Sequence, residues 1–258
     1  MTALTCICLK YGSLYGPEYV NRLLGGLRRN ASEEIRLWCM TDDTRGIDPR
    51  VGLLNLPVEP FAERMEAALD TAPKRGRLKK ISLFRPGLIP DHEGPILVLD
   101  LDVAITGPIK PLFTYAPQKI CMRREWRGSS RATSLGHGSV ERIDPGRHAY
   151  LYDFMASNPE AAVAFGGGSE QTYTSKSAAR AGDFEPYPDN WIVSFKYDCR
   201  PPRPLNLILE PKLPADARVV CFHGRPKMDE AVAGYRAGPL RSTRPCAWLR
   251  DAWIGEVA

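Results

Sequence analysis

Nowhere in its 258 residues does this chain run to the roughly 18 consecutive apolar positions that a membrane-spanning helix needs. Its first stretch, MTALTCICLKYG, is apolar only briefly and has no basic segment ahead of it, which argues against a secretory leader. No CxxC pair occurs among the seven cysteines, Cys6, Cys8, Cys39, Cys121, Cys199, Cys221 and Cys246, most of which lie inside apolar runs such as TCICL and VVCF. Buried, reduced thiols and a cytoplasmic location are the expectation. There is no internal repeat, no heptad pattern and no linker long enough to set off a second domain, so residues 1–258 are expected to form one domain. Histidine is scarce, and of His92, His137, His148 and His223 only the last follows an apolar strand directly.

The 43% hydrophobic content is enough for a sizeable core. A net charge of +5 favours anionic ligands such as phosphates, while calling for neither nucleic acid nor a membrane. Residues 3–9 read as a buried strand, and GPEYVNRLLGGLRRN places Tyr19, Val20, Leu23, Leu24 and Leu27 at helical spacing behind Pro17. EIRLWCM, VGLLNLP and PILVLD read as further strands, FAERMEAALDTA and RLKKISLF as helical pieces between them. Alternation of this kind predicts a parallel α/β sheet. Beyond Pro111 the pattern loosens into a strand at KICMRRE, a polar stretch WRGSSRATSLGHG, a helix near RHAYLYDFMASN, a late strand at DARVVCF and a closing helix at CAWLRDAWI. The Pro-rich DCRPPRPLNLILEPKLP reads as a surface excursion.

The apolar strand GPILVLDLD ends in two aspartates one residue apart, Asp100 and Asp102. In extended chain the side chains at i and i+2 point the same way, so both carboxylates would share a patch with Leu101 turned from it. At the carboxyl end of a parallel strand that patch lies where open α/β sheets bind ligands. Two close negative charges favour a bound cation or a raised pKa. His223, in VVCFHGRPK, offers a third ligand; carboxylates suit Mg²⁺ or Mn²⁺ and an imidazole tilts the choice to Mn²⁺.

Taken together, ILVLDLDVAITGPI resembles the DxD segment of GT-A glycosyltransferases, and CFHGRPK is similar to the C-terminal histidine-glycine-lysine motif of family 8 enzymes and related bacterial sugar transferases. The likeness continues through KYGSLYGPEYVNRLLGGLRRN, LWCMTDD, KKISLF and PDNWIVSFKYDCRP in the same order. It implies a GT-A, Rossmann-like fold: a mixed, mostly parallel sheet flanked by helices, with residues 1–110 as the nucleotide-binding half and 111–258 as the acceptor half and metal-closing segment. It implies a nucleotide-sugar donor, by resemblance a UDP-sugar, and a carbohydrate, lipid-linked or protein acceptor. Asp100, Asp102 and His223 would hold the metal; Asp102 and Lys227 would be catalytic. Gly224 and Lys227 would meet the diphosphate, with Arg225 a possible helper, and Lys10, Tyr11, Asp42, Lys80 and Asp100 would approach the donor. Relatives of family 8 retain anomeric configuration, yet no protein nucleophile is assignable here. The chain also departs from the family where it reads HGSVERIDPG and GGSEQTY, leaving His137, Glu170 and Gln171 in or near positions that usually serve the sugar and acceptor.

Two other classes compete. A haloacid dehalogenase-type phosphatase also follows an apolar strand with DxD, making Asp100 the nucleophile and Asp102 the acid/base, although Val103 and Ala104 fit that motif poorly. A noncatalytic nucleotide-sugar binding protein would fit the altered stretches. Peripheral contact with anionic lipid through Arg22, Arg28 and Arg29, or through Trp248, Arg250 and Trp253, competes with plain packing.

Overall fold

The structure, a computed structural model, describes residues 3–74, 76–126, 135–238 and 241–255. Its strands are β1 Leu4–Lys10, β2 Ile35–Thr41, β3 Gly52–Asn55, β4 Ile96–Leu99, β5 Val103–Ile105, β6 Ile120–Arg124, β7 Gly136–Ile143, β8 Phe184–Pro186, β9 Ile192–Ser194 and β10 Val219–Cys221, with a short hairpin of β11 Tyr235–Arg236 and β12 Ser242–Thr243. Its helices are α1 Pro17–Arg29, α2 Ala62–Thr71, α3 Lys110–Thr114, α4 Tyr150–Ser157, α5 Pro159–Gly166, α6 Glu170–Arg180, α7 Met228–Ala233 and α8 Ala247–Ile254. The helix expected at RLKKISLF is a 3₁₀ segment, Lys79–Phe84.

Seven strands form one sheet in the order β3-β2-β1-β4-β7-β6-β8. Six run the same way; β7 alone opposes them, pairing antiparallel with both β4 and β6. The period-2 alternation of β1 and β4 explains why helices cover both faces. Cys6, Cys8, Leu97 and Leu99 point into a core shared with Val20, Leu23, Leu24 and Leu27 of α1. Ile7, Ile96 and Val98 point into the opposite core, filled by Met65 of α2, Leu151 and Met155 of α4, Val163 of α5 and Tyr173 of α6. All seven cysteines are buried and free, which bears out the reading of reduced core thiols.

The chain then leaves this sheet. After β4 it bends through Asp100–Asp102 and enters a second sheet, β5-β10-β9. Val219 and Cys221 of β10 face the α1 core, while Val220 and the following Phe222 face a third cluster closed by Met228 of α7 and by Leu249 and Trp253 of α8. Of the residues expected at a lipid surface, Arg22, Arg29, Trp248 and Trp253 take part in this joint, while Arg28 and Arg250 are exposed. Arg29 donates to the Gly255 and Ala252 carbonyls at 2.5 and 2.7 Å, Arg22 lies 4.2 Å over the Trp253 ring, and Trp248 Nε1 donates to Pro211 O. Among the described residues no helix is long and apolar enough to cross a membrane.

Candidate active site

The aspartate pair sits in the bend between the two sheets, not in a continuous strand as its spacing suggested. Main-chain bonds from Asp100 N to Ser139 O and from Phe222 N to Asp102 O, both 2.9 Å, pin the bend to β7 on one side and to the end of β10 on the other. Leu101 is buried in the α1 core, and both carboxylates line one cleft of about 630 Å³. Tyr11, Tyr15, Arg77, Lys80 and Glu170 share it. A second recess of about 590 Å³ continues past Tyr11, Lys80 and Asp100 to Glu141 and Gln171. The cleft lies at the carboxyl ends of β1 and β4, as expected of an α/β sheet.

Each aspartate is held by a lysine. Lys80 Nζ stands 2.8 Å from Asp100 Oδ1 and 3.6 Å from Glu141 Oε1, and donates to the Gly138 carbonyl. Burial works against its charge, but Asp100, Glu141 and Glu170 outweigh that and hold its pKa well above the ordinary lysine range. Lys227 Nζ lies 3.3 Å from Asp102 Oδ2 and donates to Tyr15 Oη at 2.7 Å, while Tyr15 Oη donates to the same carboxylate oxygen at 2.7 Å. Burial and the neighbouring Asp100 charge still raise Asp102 above the usual carboxylate range, against the pull of Tyr15 and Lys227. Burial likewise pushes Glu141 and Glu170 each up to about 7.

The other expected residues divide. Tyr11 lines the cleft, with the Arg77 guanidinium 5.6 Å from its ring centroid. Asp42 is exposed and caps the rim, accepting from Gly12 N at 2.9 Å. Lys10 is buried beneath that rim and donates to the Asp43 carbonyl at 3.2 Å. Gly224 has φ +86, a conformation that glycine adopts without strain and other residues rarely do. Arg225 pairs with Glu230. His223 Nε2 is 2.8 Å from Ser194 Oγ, its ring packed beside Trp126 and Tyr197 at centroid distances of 5.0 and 5.4 Å. Burial lowers its pKa and takes that of His137, 5.7 Å away between ring centroids, down to about 4.

As a test of the expected metal, the donor chemistry fits at two of three positions. A buried carboxylate raised by its neighbour is relieved by a divalent cation, and both carboxylates reach one cleft. His223 is not gathered with them: among the described residues no three His, Cys, Asp or Glu side chains stand close enough to hold an ion.

Of the residues singled out at HGSVERIDPG and GGSEQTY, Glu170 and Gln171 line the recess. Glu170 Oε1 accepts from Ile81 N at 3.0 Å; Gln171 accepts from Gly138 N at 3.2 Å and donates to Glu125 at 2.9 Å. Sequence reasoning passed over Tyr15, Glu141, Trp126 and Ser194. Tyr15 lies four residues after Tyr11 in the quoted KYGSLYG, and its spacing was the available signal.

No family model matches the chain, and no curated protein matches it either. Solved structures do. The galactosyltransferase LgtC, in complex with donor and acceptor sugar analogs, matches at TM-score 0.58 and 12% identity over 87% of this chain and 89% of that one. The chain has the fold of LgtC. An active-site mutant of LgtC matches over the same shares at TM-score 0.55 and 11% identity. The GT-A architecture expected from the motifs, a mostly parallel sheet flanked by helices, is thereby borne out; identities this low speak for the fold alone.

Proposed function

We propose that this protein is a metal-dependent glycosyltransferase, moving a sugar from a nucleotide diphosphate donor to an acceptor hydroxyl. The observation that carries the reading is the Asp100/Asp102 pair, each carboxylate bound to its own lysine at the floor of a cleft between two sheets. LgtC, whose fold the chain shares, is a galactosyltransferase studied with donor and acceptor sugar analogs. Asp100 and Asp102 would hold Mn²⁺ or Mg²⁺, with His223 exchanging its Ser194 bond to join them as a third ligand. The ion would supply Lewis-acid neutralisation of the leaving diphosphate.

The chain's own groups have separate tasks. Lys227 and Lys80, which stand beside Asp102 and Asp100, would offer their charge to diphosphate oxygens. Tyr15 keeps its proton, because burial and Asp102 hold its pKa far above the phenol range, so it acts as a hydrogen-bond donor. Tyr11, Gly12 and Asp42 at the rim would meet the nucleoside. Glu170 and Gln171 in the adjoining recess would meet sugar hydroxyls, and Trp126 packs with His137 and His223 in an aromatic cluster.

The test is calorimetry with a panel of nucleotide sugars, UDP-sugars first, with and without Mn²⁺. Metal-dependent binding that Asp102→Asn removes supports the reading; binding unchanged in a folded Asp102→Asn protein would sink the metal assignment. Turnover with the same panel separates an enzyme from a noncatalytic binding protein. The phosphatase alternative gains no observation: Asp100 follows the fourth strand in chain order, in a sheet arranged as in LgtC.

A further inference from the structure

The Pro-rich excursion after Cys199 carries the largest run of exposed aliphatic side chains in the described structure. Ile208 is 71% exposed, and Leu205, Leu207, Leu209 and Leu213 are between 36 and 45% exposed. They do not hang on a loose loop. Asn206 is buried and donates to Ser242 O at 2.8 Å, and Arg200 donates to the same carbonyl at 3.1 Å. Lys212 N donates to Cys199 O, and Pro211 O accepts from Trp248 of α8. The segment is thus fastened to the β11–β12 hairpin on one side and to α8 on the other, with its apolar residues turned outward.

Charge around this ridge is one-sided. The segment 200–214 contains Arg200, Arg203 and Lys212 against a single acid, Glu210, and the hairpin 235–244 contains Arg236, Arg241 and Arg244 with no acid. Those two segments hold a surplus equal to the whole chain's net +5, so the remainder is balanced. Arg203, Lys212, Arg236, Arg241 and Arg244 are exposed. Exposed cations on the ridge and on the hairpin fastened to it, beside protruding aliphatic residues, match the boundary of an anionic bilayer, where side chains of this kind enter the acyl edge and cations meet headgroups. A protein-binding patch would instead be expected to centre on aromatic anchors, and this ridge has none.

We infer that the Leu205–Leu213 ridge and the exposed cations of this segment and the adjoining hairpin dock this protein on an anionic lipid surface. The site differs from the contact expected on α1 and α8, where Arg22, Arg29, Trp248 and Trp253 take part in packing while Arg28 and Arg250 stay exposed.

The experiment is co-sedimentation of the full chain with vesicles of phosphatidylcholine alone and of phosphatidylcholine mixed with phosphatidylglycerol, read together with size-exclusion chromatography. Wild-type protein should partition onto the mixed vesicles and be released by salt. Ile208→Asp, at an exposed position where the fold should be unaffected, should lower partition about tenfold. The pair Arg203→Glu and Arg241→Glu should do so by a similar factor or more, since each cation near such a surface contributes about tenfold or less. Circular dichroism and nucleotide binding, which do not involve these residues, should match wild type in both variants. Absence of binding to the mixed vesicles, or equal binding by wild type and both variants, overturns the proposal. A concentration-dependent dimer that Ile208→Asp dissolves overturns it as well, assigning the ridge to a second copy of this chain.

Discussion

At the scale of single residues, the cleft is a problem of unbalanced charge solved twice with lysine. Lys80 is only 14% exposed at its side chain and faces Asp100, Glu141 and Glu170, so removing its charge leaves the buried Glu141 without its cation. Lys80→Met should cost roughly 3–5 kcal/mol of stability at neutral pH, measured by denaturant unfolding, with a smaller loss in acid where the carboxylates protonate. A second pH effect has a definite sign. The folded pKa of Glu141, about 7, lies above the ordinary glutamate value of 4.5, so the folded state binds the extra proton. The stability this gives is fully present below 4.5 and is lost as pH rises to about 7. Glu141→Gln carries no such dependence. Its melting temperature should therefore gain on that of wild type across this window and hold its lead above it; a difference that does not change with pH contradicts the assignment. Lys227→Ala should lower kcat more than it weakens binding of the bare nucleoside, because in the proposed reaction its charge would serve the diphosphate. Steady-state kinetics decide this, and normal kcat and kcat/KM would return Lys227 to a structural role on Asp102.

At the scale of elements, legibility followed the pattern of burial. The strands β1, β2, β4 and β10 were readable as short apolar runs, and the helix α1 because its apolar residues recur at helical spacing. The strand β7 was not, since it buries Glu141 and Arg142 at interior positions. Arg142 is satisfied there by the carbonyls of Phe113, Tyr115, Ala116 and Lys119, partners that no local window reveals. Most of the polar stretch ahead of it, residues 127–134, lies outside the described residues. A tie between elements also governs the cleft rim. Gly76 N donates to Gly168 O at 2.9 Å, Lys74 N to Gly167 O at 3.2 Å, and a Cβ on Gly168 would stand 1.7 Å from Lys74 O. With φ +72 at Gly168 as well, Gly168→Ala should destabilise by about 1–3 kcal/mol and push the 73–77 segment off the start of α6. Hydrogen exchange should show faster exchange at the Lys74 and Gly76 amides together with weaker nucleotide binding. Unchanged protection at both amides would contradict this coupling.

At the scale of the whole molecule, the proposed function rests on one sheet handing its chain to another at Asp100–Asp102. The aspartates, the cleft's place at strand ends and the GT-A class were legible as motif and alternation. The handover was not, because a bend between two sheets and a continuous strand write the same apolar-Asp-x-Asp pattern. His223 shows the same limit: its strand was readable, its bond to Ser194 was not. The central claim is that this junction binds a cation to work on a nucleotide sugar. Its most direct test is a steady-state assay of hydrolysis and transfer with a panel of nucleotide sugars in Mn²⁺, for wild type, Asp102→Asn and His223→Ala, run beside simple phosphate monoesters. The account predicts Mn²⁺-dependent turnover of at least one nucleotide sugar, reduced by a factor of about ten to a thousand in each variant, and no monoester hydrolysis. Monoester hydrolysis that survives His223→Ala, with every nucleotide sugar left intact, would contradict it.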